Sequence, residues 1–436
     1  MAEFLPNAVN YSEPLAVLPP DAQNMLVAYP PSNGSTFGPS SIIQVDLGSR
    51  GFLDPASLQI RYKFNTTFGD NTQSKIVGTP VYTPFLRLET FVNSQSIESI
   101  NNYNTVANML TNLQLSVADK LGQQYALGYV NSTISPVTNE ALDGRLYPTT
   151  AAVGTASDSG FFSAPLHCSL SYAEKLIPLF LVGGIRLQFT MDTLLNMCSN
   201  LTGDAGGVLT NFTISNFEVV YNCVDLGASA NAEVVRMNPK IKIKSQSFST
   251  SVAPVASGTS GSVNLIFNQR FASVKSAYLN MGGSSASLSA NKNMDSYDIT
   301  TGNGDYQLNI GGVSYPQKAL STVNNKAGIL QELRRSMNTI FGSNVAMSIN
   351  SLEFGKLSSA ATSYDVPAKF WLGVNLQKLS IPQRAFFTGV STQSSPITAV
   401  INIGTATSQL HNVMLILNYD MIYEIDTASH QVIVIQ

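Results

Sequence analysis

The chain has 436 residues, enough for two or three ordinary domains with sizeable cores. Hydrophobic residues make up 44% of it, but charged residues only 12%, where an average soluble domain has about 25%. The formal net charge of −3, from 24 basic and 27 acidic residues, excludes a global attraction for nucleic acid or anionic membranes.

Ser, Thr, Asn and Gln cover the surface instead, as in NSTISPVTNE (131–140) and SGTSGSV (257–263). Such a surface fits an all-β protein with a neutral exterior. It also fits a protein whose surface ends against other subunits, because interfaces are depleted in Lys, Glu and Asp.

In chain order, residues 1–40 hold Pro6, Pro14, Pro19, Pro20, Pro30, Pro31 and Pro39 and lack a signal-peptide pattern. Fixed φ and lost amide donors predict an extended arm without regular structure. From Ser41, SIIQVDLG and SLQIRYKFN alternate apolar and polar residues, the mark of half-buried strands, with Ile60, Tyr62 and Phe64 on one face. Strands are predicted at 85–93, 161–166, 185–191 and 212–224, and a helix over 101–121, where Tyr103, Val106, Leu110, Leu113 and Val117 recur at helical spacing. Residues 122–160 read as a long surface loop. LIPLFLVGGI (176–185) is too short for the roughly 20 residues of a spanning helix.

The segment 225–240 loses strand character and reads as a linker. A second strand series then runs from IKIKSQSFS (241–249) to NVMLILNYDMIYEI (412–425), including NVAMSINSLEF (344–354), with one helix at KAGILQELRRSMNTIF (326–341). Both series contain a strand, a turn-like SQS or GG, a short apolar run and then the helix, about 220 residues apart by the repeat reading. The expected fold is all-β, with two tandem jelly-roll β-sandwich domains, each with one inserted helix. The expected division is an arm at 1–40, a first jelly roll at 41–224, a linker at 225–240 and a second jelly roll at 241–436.

Chemistry is sparse. Cys168, Cys198 and Cys223 lack paired spacings and read as free thiols of a reducing compartment. His167, His411 and His430 have no second His at ligand spacing, and the latter two are expected in turns. A Cys168–His167 dyad fails because adjacent strand residues point to opposite faces. Glu424 and Asp426 share a strand face and, with Asp420, form the one carboxylate cluster that could serve a glycosidase or bind calcium. Lys240, Lys242 and Lys244 read as a solvated strand face, Arg334 and Arg335 as an exposed helix face or subunit contact. Gly183-Gly184 and Gly311-Gly312 read as hairpin turns. No catalytic, cofactor-binding or metal site is expected.

The order of parts resembles the double jelly-roll major capsid proteins of icosahedral DNA viruses, especially polinton-like viruses, virophages and their large DNA virus relatives. The segments that carry it are AEKLIPLFLVGGIRLQFTMD, FNQRFASVKSAYLNM, YQLNIGGVSYPQKAL with its helix, and NVMLILNYDMIYEI, similar to the closing strand pair. The resemblance implies a homotrimeric, pseudo-hexagonal capsomer that tiles a virion shell assembled inside a host cell, with minor capsid and penton partners and no specific nucleic-acid binding. It implies outward loops at 122–160 and 284–304 and an inward or intersubunit place for the arm. A carbohydrate- or receptor-binding β-protein, such as a spike using Tyr125 and Tyr129, is the alternative.

Overall fold

In a computed structural model the structure describes residues 22–68, 74–128, 156–200, 209–283, 294, 304–322, 324–341, 347–349, 354, 369–379, 387–407 and 410–436. In its first half the chain forms β1 (Gln23–Tyr29), β2 (Thr36–Phe37), β3 (Ile42–Asp46), β4 (Phe52–Leu53), β5 (Gln59–Phe68), β6 (Ser74–Ile76), β7 (Phe85–Val92) and β8 (Gln95–Asn101). The helices α1 (Tyr103–Gln114), α2 (Val117–Gly122) and α3 (Gln124–Leu127) follow. Then come β9 (Ala156–Pro165), β10 (Ile177–Pro178), β11 (Ile185–Met191), α4 (Leu194–Met197), β12 (Cys198–Asn200) and β13 (Leu209–Asp225).

The helix α5 (Ala228–Met237) leads into the second half. There the chain forms β14 (Lys240–Val255), β15 (Gly261–Phe267), β16 (Val274–Gly283), β17 (Asp305–Ile310), β18 (Val313–Ser321), α6 (Lys326–Phe341), β19 (Leu372–Asn375), β20 (Ile397–Ile403), β21 (His411–Asp426) and β22 (Val432–Ile435).

The two halves repeat one topology. In the first, β1 pairs with β13, β13 with β5 and β5 with β9, facing a sheet of order β3-β11-β7-β8. In the second, the sheet β14-β21-β16-β19 faces β15-β20-β17-β18. In each half a two-residue hairpin feeds the helix. Asn93-Ser94 joins β7 to β8 ahead of α1, and Gly311-Gly312 joins β17 to β18 ahead of α6. All four turn residues have positive φ, the backbone that two-residue hairpins between right-twisted strands favour.

Alternation places the core as the sequence predicts. Ile60, Tyr62 and Phe64 are buried on one face of β5. Tyr62 stacks on Phe217 and meets Phe64, Phe85 and Phe162 edge-on, and its hydroxyl donates to the Val81 carbonyl at 2.7 Å. In the second half Tyr306, Leu308 and Ile310 of β17 and Ile397, Ala399 and Ile401 of β20 do the same.

Several expectations need correction. The segment 1–40 contains two strands, and β1 completes the first half's larger sheet in the place that β14 takes in the second. Its register against β13, from Gln23↔Asp225 to Tyr29↔Val219, is unbroken, because the prolines flank this stretch and leave its amide donors intact. The linker reading of 225–240 covers the last residue of β13, the first of β14 and the helix α5, none of whose residues is fully buried.

The helix expected over 101–121 is two helices. Ser116 and Asp119 form a capping box, with Ser116 N–H donating to the Asp119 carboxylate and Asp119 N–H to the Ser116 hydroxyl, both at 3.1 Å. That box starts α2 afresh and leaves Val117 off the buried face of α1. Gly183-Gly184 is not a hairpin turn, for it connects the 3-10 turn Leu179–Leu181 to β11. The segment likened to a closing strand pair is a single strand, because nothing in 411–426 interrupts its sixteen-residue ladder with β14. Residues 129–155 of the first loop and most of 284–304 and 344–354 lie outside the described residues.

Candidate functional site

The carboxylate cluster does not form a site. Glu424 receives Lys240 at 3.0 Å and Lys242 at 3.2 Å. Its carboxyl is held below the usual range, first by Lys240 and then by Lys242. Asp426 accepts from Ser429 N–H at 3.0 Å and Ala428 N–H at 2.9 Å, closing the turn into β22, and these amides hold it low as well. Paired-carboxylate glycoside hydrolysis needs one carboxyl kept protonated, and neither surface acid is so held. Asp420, two and three turns of the pleat away, is fully buried and accepts from Ser273 at 2.6 Å and Thr388 N–H at 3.2 Å.

His167 and Cys168 are buried. His167 Nδ1 lies 2.9 Å from Tyr172 Oη, and desolvation lowers its pKa to about 4. Burial pushes the Cys168 thiol up to about 12, with Glu98 adding to the effect, so the reactive thiolate is not the resting form. His411 starts β21 and is buried, where a turn was expected, and burial lowers its pKa. His430 does occupy a turn, at φ 55°, and its carbonyl accepts from Asn93 at 3.3 Å. The three Lys residues of β14 are paired rather than freely solvated, Lys244 with Glu174 at 3.8 Å. Arg335 pairs with Glu332 at 3.1 Å on the exposed face of α6, where Arg334 also lies. Among the described residues no three His, Cys, Asp or Glu side chains cluster as a metal site would require.

A cleft of about 700 Å³ opens between the halves, with Tyr172 and Glu174 on one side and Lys244, Gln246, Lys275 and Arg335 on the other. Lys275, with 9% of its side chain exposed, binds Gln246 and the Thr339 carbonyl and lies 3.5 Å from Asp420. Each cation of the cleft thus has an acid within 4 Å. The charge is balanced internally, which argues for a structural seam over an anion site.

Beside the cleft the halves are joined by polar contacts that periodicity alone does not reveal. Glu98 of β8 accepts from Thr90 at 2.9 Å and from Ser169, through N–H and hydroxyl, at 2.8 Å each. The Ser247 hydroxyl of β14 donates to it from the other half. Ser245 donates to the Ser169 carbonyl, Tyr423 to the Ser169 hydroxyl, and Glu174 N–H to the Lys244 carbonyl at 2.9 Å. The one sequence signal is that Glu98 lies in phase with the buried Ile100.

Taken together these features describe two matched sandwiches held side by side. No family model matches the chain, and no curated protein matches it in sequence. Solved structures do match over nearly its whole length. The Faustovirus major capsid protein superposes with a TM-score of 0.61 at 10% identity, covering 97% of this chain and 92% of that one. The fold is a double jelly roll.

The mavirus major capsid protein matches with a TM-score of 0.58 at 10% identity, over 100% of this chain and 95% of that one. A chain from the structure of the Sputnik virophage matches at 0.58 and 11% identity, over 100% and 92%. In the double jelly roll each sandwich buries most of its own apolar surface, and the seam combines these polar contacts with an apolar patch where Val92, Leu170 and Ile185 meet Ile243, Tyr423 and Ile425.

Proposed function

We propose that this chain is the major capsid protein of an icosahedral virion, a structural subunit without enzymatic activity. The observation that carries the reading is full-length likeness: capsid proteins of other viruses share the double jelly roll across at least nine-tenths of both chains. The low charge and the absence of a poised acid, base or thiolate among the candidates support it. In this reading the first jelly roll spans 23–225 and the second 240–435, which moves the first boundary from 41 back to β1. Three copies form the capsomer, because two matched domains in three copies present six near-equivalent lateral faces. Capsomers then tile a shell inside a host cell, with minor capsid and penton proteins as partners.

Light scattering of the native protein tests the reading, with a trimer expected and pseudo-hexagonal particles by negative-stain microscopy. A folded, strictly monomeric product at high concentration sinks it. Glycan binding by a non-assembling monomer would favour the receptor-binding alternative.

A further inference from the structure

Glu98 is 3% exposed at the seam between the two jelly rolls, and among the described residues no Lys, Arg or His is one of the groups that contact it. The charged side chains of the surrounding strands point the other way. On β14, Lys240, Lys242 and Lys244 face Glu424 and Glu174; on β7, Arg87 and Glu89 pair with each other at 3.0 Å. On β21, Asp420 faces Lys275, while Glu424 and Asp426 are engaged by lysines and turn amides. The titratable groups that do face Glu98 are Cys168, Tyr172, Tyr419 and Tyr423, all neutral acids whose own pKa values are raised by burial. His167 lies behind Tyr172 and is held neutral by desolvation.

Two opposing forces therefore act on one carboxyl. Its oxygens accept from Thr90, Ser247 and twice from Ser169, an arrangement complete for the ionised form. A buried carboxylate without a cation is also costly, and a proton would remove that cost. Desolvation is the larger force, and it raises the Glu98 pKa above its ordinary value.

We infer that Glu98 is a proton-sensing latch between the two jelly rolls, and that proton uptake by its carboxyl tightens the seam. On protonation the carboxyl oxygen that takes the proton becomes a donor. The Ser247 or Thr90 hydroxyl rotates to accept from it, so the cross-seam contact survives while the buried charge disappears. The sign follows from linkage: the closed seam binds the proton more tightly than the open one, so acidification favours closure and rising pH weakens it. The working window lies between the ordinary Glu value of about 4.3 and the raised value of the closed seam. This inference concerns one chain's own seam and holds whether or not the protein builds a shell.

Amide hydrogen exchange of the full chain, corrected for intrinsic rates, tests it at the Ser169 N–H between pH 5 and 8. Protection at Ser169 is expected to fall several-fold as pH rises. In Glu98→Gln, where the side chain cannot ionise, it is expected to be high and flat. Protection independent of pH in the wild type, or the same slope in Glu98→Gln, overturns the latch. If Glu98→Gln does not fold, the wild-type profile and that of Ser247→Ala decide, the latter expected to lower protection most at high pH, where the ionised carboxyl loses one of its donors. An unchanged Ser247→Ala profile counts against the proposal.

Discussion

Glu98 and Ser247 stand 149 residues apart in sequence and meet in a hydrogen bond across the seam between the jelly rolls. Neither belongs to a surface a β-sandwich needs for its own core. Their contact makes the side-by-side arrangement of the domains a property of particular residues, with Ser169 as its hub.

Lys275 and Asp420 form the buried charged pair at the floor of the cleft. Lys275→Met leaves a buried carboxylate without its cation and should destabilise the protein by about 3–5 kcal/mol. The double variant Lys275→Met/Asp420→Asn should recover much of that loss. Urea unfolding of the three proteins measures it, and an additive double variant would show that the two groups do not interact.

Gly312 closes the β17–β18 hairpin at φ 81°, and a Cβ there would meet open space. The cost of a side chain is therefore conformational alone. Gly312→Val should lose roughly 1–2 kcal/mol, and Gly312→Asn clearly less. Equal denaturation midpoints for the Val and Asn variants would refute the conformational origin.

Acid should unfold the protein through its surface carboxylates. Asp46 is held low chiefly by Arg186, Glu424 by Lys240, and Asp225 by the Gly227 N–H with Arg50 second. Their folded pKa values lie below the unfolded ones, so their stabilisation is present above about pH 4 and is lost as pH falls through the folded values. Asp46→Asn/Glu424→Gln should flatten the decline of the melting temperature below pH 4, the opposite sign to Glu98. An unaltered decline would assign acid unfolding to other groups.

Cys168 should resist alkylation. Its thiol is buried and its pKa is pushed up to about 12, so in a Cys198→Ser background native labelling should be slow at both remaining thiols. Cys223 is buried too, and burial raises its pKa. Labelling of Cys168 should become rapid only in denaturant, as mass spectrometry of the tryptic peptides would record. Fast native labelling at Cys168 would contradict its burial.

The alternation in QIRYKF, DYQLNI and ITAVINI and the helical spacing in KAGILQELRRSMNTIF specify strands, α6 and the duplicated order of parts. These signals are local: a strand with one buried face must alternate, and a hairpin with two residues must supply positive φ. Local signals do not say which strands pair. The proline-flanked QNMLVAY has weak alternation, and only its docking along β13 makes it the first strand of a jelly roll.

The same limit applied to charge. Lys240, Lys242 and Glu424 look like separate surface features until the β14–β21 register brings them together, and that register joins residues more than 180 apart. Glu98 could be seen in phase with Ile100, but whether it faced a cation, water or hydroxyls depended on the other jelly roll. Periodicity in sequence thus determined the two sandwiches. Their seam, its buried carboxyl and the neutralised acids were decided by long-range pairing, because the energy of a buried charge depends on every group around it and not on its neighbours in the chain.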